Sequence, residues 1–215
     1  MSKKTWYALT ISAILVAGYA IVQYFILGTD KAGLVQLKLM FMDLDSFWYF
    51  MLFLHIVGGI LALILGPFNL STKFREKNWK RHRVIGIIYM FGILLAGISG
   101  LYLAFFATGG IIAKIGFGLL SVLWLVTAFM AIKKIKNKSV LDHQKHMIRN
   151  YSLTFAAVTL RIWLGVFILL FGYENYVVSY MIIAWLCWVP NLIVAEFIIK
   201  RKLKQDIVTD VHESF

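Results

Sequence analysis

Six separate runs of this chain are apolar for about 20 residues or more, the length a helix needs to cross a hydrocarbon layer about 30 Å thick at about 1.5 Å per residue. They are Trp6–Leu27, Phe47–Leu70, Val84–Phe106, Ile111–Ile132, Met147–Phe171 and Tyr176–Ile199. In lipid every backbone amide has to be satisfied inside its own segment, so runs this long read as helices. Membrane strands would be about 10 residues long with strict alternation, and the chain has no such pattern.

The remaining composition agrees. Of 215 residues, 61% are hydrophobic and 15% charged. Soluble domains run at about 45–50% and about 25%, so this chain carries more apolar surface than one buried core can absorb. Disordered chains lack such residues, and the single cysteine, Cys187, rules out a disulfide scaffold. The expected fold is an all-α integral membrane protein. Six transmembrane helices occupy residues 1–204 as an antiparallel bundle with the second to fifth spans as its core, and a polar tail occupies 205–215.

The first run has features of a secretion signal, with Lys3 and Lys4 ahead of it and Gly18-Tyr19-Ala20 inside it. Its apolar stretch continues to Leu27, longer than a signal's hydrophobic region, so a retained anchor is expected. Orientation follows from Lys and Arg near the span ends. One side collects Lys3 and Lys4, then Lys73 to Arg83, Lys133 to Arg149, and Lys200 to Lys204; the other has Lys31, Lys38 and Lys114. Both termini are therefore expected in the cytoplasm. The net charge of +12 is then mostly a topology signal and not a nucleic-acid surface. The tightest link, Ala107-Thr108-Gly109-Gly110, makes the spans it joins antiparallel neighbours.

Ionisable groups in hydrocarbon are costly, which makes each a candidate for function. His55 lies in the second span on a stripe with Gly58, Gly59, Ala62 and Gly66. Small residues admit a close helix or a flat ligand, so His55 is either a ligand-binding group or a histidine satisfied by a neighbouring helix. Arg161 lies deep in the fifth span and stays charged. His143, Asn150, Thr154, Ala157 and Arg161 share one helical face. A buried guanidinium calls for a bidentate anion, with backbone carbonyls or snorkelling as the structural alternative. His55 and Arg161 each lie about 22 Å from the basic ends of their helices.

A second group gathers near the basic side: His82, and Asp142-His143-Gln144-Lys145-His146. His143 and His146, three apart after an expected N-cap at Asp142, share one helix side. With His82 they could bind haem axially or, with Asp142, a divalent metal; the alternative is contact with water and lipid phosphates. Glu196 is expected to pair with a loop lysine or one of these histidines. A faint echo relates the hairpins, His82 preceding Gly86 and Tyr89 as His146 precedes Asn150 and Tyr151. Phosphate loops, dinucleotide glycine fingerprints, di-iron Glu-x-x-His pairs, hydrolase nucleophile turns and desaturase histidine boxes are absent.

The segments His82–Tyr89, Gly97–Tyr102, Asp142–Arg149 and Leu153–Trp163 together resemble a bacterial family of predicted multi-pass membrane proteins of unknown function. The resemblance runs from the second span through the fifth and implies a bacterial inner-membrane location. More loosely, the arrangement is similar to membrane b-type cytochromes, in which histidines on neighbouring helices grip haem. His55 has no histidine partner at its depth, so that similarity implies at most one bis-histidine haem, held by His82 with His143 or His146. The leading expectation is a haem b electron-transfer protein that meets a quinone or other membrane-soluble redox partner near His55 and Arg161. The alternative is a permease for a small anionic or amphipathic solute that uses Arg161 and His55, and a third is a structural subunit. Apart from the lipid bilayer these partners are inferred from residue chemistry alone.

Overall fold

The computed structural model describes residues 3–213, with side chains through Arg201. Among the described residues there are helices and no strands. They are α1 (Lys3–Ile21, continued as a wider turn over Val22–Ile26), α2 (Gly33–Leu39), α3 (Ser46–Leu70), α4 (Thr72–Lys77), α5 (Trp79–Ala104), α6 (Gly110–Lys136), α7 (Val140–Thr154), α8 (Ala156–Phe171), α9 (Tyr176–Leu186) and α10 (Val189–Glu213). Six helical stretches are long and apolar enough to cross a membrane: Lys3–Ile26, Ser46–Leu70, Trp79–Ala104, Gly110–Lys136, Val140–Phe171 and Tyr173–Arg201. Each of the six apolar runs lies within, or within two residues of, one of these. Of the polar tail 205–215, the side chains lie outside the described residues.

The helices outrun the apolar runs at their basic ends because capping side chains carry them past the hydrocarbon. Asn78 accepts from the Arg81 amide at 2.9 Å and so starts α5 ahead of Val84. At the opposite end of the bundle, Asp45 caps α3 in the same way, taking the Trp48 amide at 2.7 Å.

Two spans are broken. The fifth is interrupted at Phe155, between α7 and α8, and the sixth at Cys187 and Trp188, between α9 and α10. Pro190 cannot donate to a carbonyl four residues back. Beside it, the Cys187 carbonyl at the break is met by side chains: Thr159 Oγ1 donates to it at 2.5 Å, and Asn191 Nδ2 reaches the same oxygen at 2.9 Å. The two breaks thus share one set of hydrogen bonds, as backbone in lipid requires.

α3 packs against α5, α5 against α6, α6 against α7, and α7 back against α3, while α1, α8, α9 and α10 lie around this ring. Close approach of α3 and α5 depends on Gly58, where a Cβ would stand 2.5 Å from the Gly92 carbonyl. Inside the ring lies a polar network with every described member satisfied. Tyr89 donates to Asn150 Oδ1 at 2.7 Å, and Asn150 Nδ2 donates to the Trp124 carbonyl at 2.8 Å and to Thr127 Oγ1 at 2.9 Å. Trp124 Nε1 donates to Thr154 Oγ1 at 2.9 Å, and that hydroxyl donates to the Asn150 carbonyl at 3.0 Å. The network ties α5, α6 and α7 together at positions that are almost wholly buried.

α3 joins α7 through Pro67. Its missing amide frees the Leu63 carbonyl, which accepts instead from the Tyr151 hydroxyl at 3.4 Å. Gly66 makes the contact sterically feasible, since a Cβ there would fall inside the Tyr151 ring.

At the end away from the basic loops, α2 lies over the bundle with Val35 and Leu37 buried. Lys38, 6% exposed, donates its ammonium to the Phe106 carbonyl just past α5. Burial, reinforced by the charge of Lys114, lowers its amine to about 8.

Two outcomes follow from these contacts. Gly66→Ala should cost about 1–3 kcal/mol by overpacking, read as a lower unfolding midpoint in detergent. The cost should shrink when Tyr151→Ala is added, and an undiminished cost would place the clash elsewhere. Lys38 is lowered in the folded state, so between about 8 and the usual 10.5 the unfolded chain binds more protons and stability rises with pH. The increment should appear in the wild type and vanish in Lys38→Met.

Candidate functional site

The basic end is organised by helix starts. Asn78 places His82 in the first turns of α5, and α7 begins at Val140, so His143 and His146 stand in its first two turns. The N-cap of α7 is Ser139, not Asp142, which lies inside the first turn. The Asp142 carboxylate accepts from Ser139 Oγ at 3.1 Å and from Lys145 at 2.9 Å, and faces Lys134 at 3.4 Å. With those partners it serves its own helix start and the adjacent lysines.

His82 interacts electrostatically with His143, and His143 with His146; the Arg75 charge, from α4, acts on both His82 and His143. The structure therefore brings the three imidazoles to one end of the bundle. His143 Nδ1 donates to the Ala131 carbonyl of α6 at 2.9 Å. A carbonyl only accepts, so Nδ1 holds the proton and the neutral ring keeps its lone pair on Nε2. His82 Nδ1 and His146 Nδ1 are buried without a partner in the protein, as are both side-chain polar atoms of Asn69. Asn69 is 7% exposed and lies beside Gly86, where a Cβ would meet its Oδ1 at 3.6 Å. Gly86 is one turn beyond His82, so Asn69 belongs to the same end. Each buried unpaired polar group costs about 1–3 kcal/mol, and four such atoms lie at the basic end. Among the described residues no three His, Cys, Asp or Glu side chains are grouped as metal ligands. His82, His143 and His146 thus share a region without closing into a divalent-metal set. The surrounding Arg75, Lys134 and Arg149 charges, with Asp142 already taken, give the physical reason.

Glu196 pairs neither with a loop lysine nor with a histidine. It takes Arg149 in a two-point ion pair, Nε to Oε1 at 2.5 Å and Nη2 to Oε2 at 2.9 Å, which joins α10 to α7.

Toward the other end, His55 Nδ1 donates to the Ala96 carbonyl of α5 at 2.8 Å. Its ring occupies the space that Gly100 leaves open, 3.0 Å from where a Cβ would be, with Ser121 Oγ at 3.1 Å from the same point. The imidazole is held by a neighbouring helix, with its tautomer fixed as in His143.

Arg161 leaves the ring. The helical face that carries Asn150 and Thr154 into the network is interrupted at Phe155, and α8 packs on α9 and α1 instead. Arg161 Nη1 donates to the Ala157 carbonyl at 2.6 Å, Nε is buried without a partner, and the guanidinium lies 5.6 Å from the centre of the Tyr19 ring. Its charge interacts with Tyr24, Tyr19 and Tyr180, and reaches His55. Tyr176 stacks on Tyr180 at 5.3 Å on α9, so α1 and α9 supply the phenols around this cation. No carboxylate is paired with it among the described residues.

Sequence reasoning passed over Asn69, Tyr24, Tyr180 and Lys38. Asn69 was discoverable as an amide just after Pro67 inside an apolar run. The tyrosines were not, because their convergence depends on α1 and α9 meeting α8.

Compared with known proteins, residues 52–199 match the family described as "Predicted membrane protein (DUF2306)". No curated protein and no solved structure matches the chain.

Proposed function

The chain belongs to the DUF2306 family of predicted membrane proteins, and from that premise we propose a six-pass electron-transfer protein of the bacterial inner membrane that holds a haem b at its basic end. The Lys and Arg asymmetry of the loops supports placing that end, with both termini, in the cytoplasm. The ring of α3, α5, α6 and α7 is then the functional core.

One observation carries this reading: at the basic end His82 Nδ1 on α5 and His146 Nδ1 on α7 are buried without a protein partner, while the bond of His143 Nδ1 to Ala131 leaves its Nε2 as the lone-pair nitrogen. His82 and His143 would hold the haem iron, with His146 one turn away as the substitute for His143. A backbone carbonyl on the far ring nitrogen is the usual way a ligating imidazole is oriented. Asn69 offers a donor and an acceptor beside the same region. When bound, haem b supplies one-electron transfer. A divalent metal on the three imidazoles is less well supported, since the local charge is positive and Asp142 is occupied. Electrons would be exchanged with a quinone-type partner in the bilayer near His55 and Arg161.

A second reading has its own observation. Arg161 is a cation without a carboxylate partner, set among phenols within reach of His55. That favours a permease for a small anionic or amphipathic solute, with Arg161 as the counter-ion and His55 as the proton-exchanging group.

Protein purified from haem-replete cells should show a Soret band and a reduced α band. His82→Ala and His143→Ala, recovered as monodisperse protein, should lose both, whereas Arg161→Gln should keep them. A colourless wild type would refute the haem reading.

A further inference from the structure

We infer that Arg161, Tyr24 and Tyr180 form a binding site, reached sideways from the bilayer, for the carboxylate of a long-chain monocarboxylic acid. This deepens the second reading by naming the ligand class, and shares with it only the use of Arg161 to hold an anion.

Depth comes first. Arg161 is ten residues from Phe171, the far end of its span, which places it about 15 Å inside at about 1.5 Å per residue. A hydrocarbon layer about 30 Å thick puts that near the midplane. A phospholipid keeps its phosphate at the interface and does not reach there. A carboxylic acid does, because its protonated form is neutral and soluble in lipid.

Charge comes next. Arg161 is held by one carbonyl bond through Nη1, while Nε is buried and unpartnered. A guanidinium offers paired donors that match a carboxylate's two oxygens. One carboxylate cancels one guanidinium, whereas a doubly charged phosphate would leave an excess anion in hydrocarbon. The charge of Arg161 acts on the phenols of Tyr24 and Tyr180, which come from α1 and α9 and can donate to the same anion.

Access comes last. Tyr19, whose ring lies against the guanidinium, is 52% exposed on the outer face of α1. The aromatic wall therefore opens toward lipid and not toward a loop, and the acid's chain would remain among lipid tails.

The test is carboxyl-13C-labelled laurate added to full-length protein in nanodiscs of zwitterionic lipid. Wild-type protein should give a saturable second carboxyl resonance at the shift of an ionised acid. Arg161→Gln should weaken binding at least tenfold. Tyr24→Phe with Tyr180→Phe, which keeps the charge and nearly the volume, should weaken it several-fold at an unchanged unfolding midpoint. Dodecanol should not compete, and dodecyl phosphate should compete less well than laurate. Wild-type-like binding in both variants, or equal competition by dodecanol, overturns the site. Better competition by dodecyl phosphate overturns the carboxylate assignment. If Arg161→Gln does not fold, the tyrosine pair decides. Binding without flux into vesicles would remove the permease reading and leave this site standing, and flux without laurate binding would do the reverse.

Discussion

Asn150 is the joint on which the bundle turns. A buried amide in a lipid-surrounded core is tolerable only if its donors and acceptor are met. Here they are met by Tyr89 from α5 and by Trp124 and Thr127 from α6. Those bonds fix α7 in rotation and height against its neighbours, which apolar packing alone does weakly, since lipid tails are as apolar as leucine. His146 and His143, one and two turns earlier on α7, are set by this joint, and Arg161 is set by where the chain resumes after Phe155. The ends of the bundle therefore inherit their geometry from its middle.

A second device has the same logic. Pro67 gives up one helical hydrogen bond, and Gly66 leaves the volume through which Tyr151 restores it. At the break in the sixth span, Thr159 and Asn191 side chains meet the Cys187 carbonyl. In both places an irregular backbone is retained because a side chain from another helix completes it. These interhelical bonds hold spans that would otherwise slide on greasy surfaces.

Span number and position were readable from the sequence because hydropathy over about 20 residues is a strong signal. The splitting of the fifth and sixth spans was not, since Phe155 and Cys187 carry no breaker chemistry of their own and only Pro190 hinted at it. Arg161 stood out by the cost of its charge. The shared face pointed it into the bundle with Asn150 and Thr154, whereas after the interruption at Phe155 it lies against α1 and α9 instead. Asp142 was assigned to the cap one turn too late, where Ser139 performs that role. Asn69 was overlooked because a single amide at a span end resembles an interfacial residue until its burial is known.

Among the described residues, bonding is incomplete at the amide and imidazole atoms of the basic end, at the guanidinium among tyrosines, and at the Trp48 indole. The first depends on α5 and α7 being held so that residues 82 and 143 come to the same end of the bundle. Cross-linking tests this directly, with Cys187→Ser as background, His82→Cys and His143→Cys together, and a short bismaleimide applied to membranes. The account predicts an efficient intramolecular link that is strongly reduced when Asn150→Leu cuts the central network. No link in the folded double variant would contradict the convergence of the two helices, and with it the proposed ligand site.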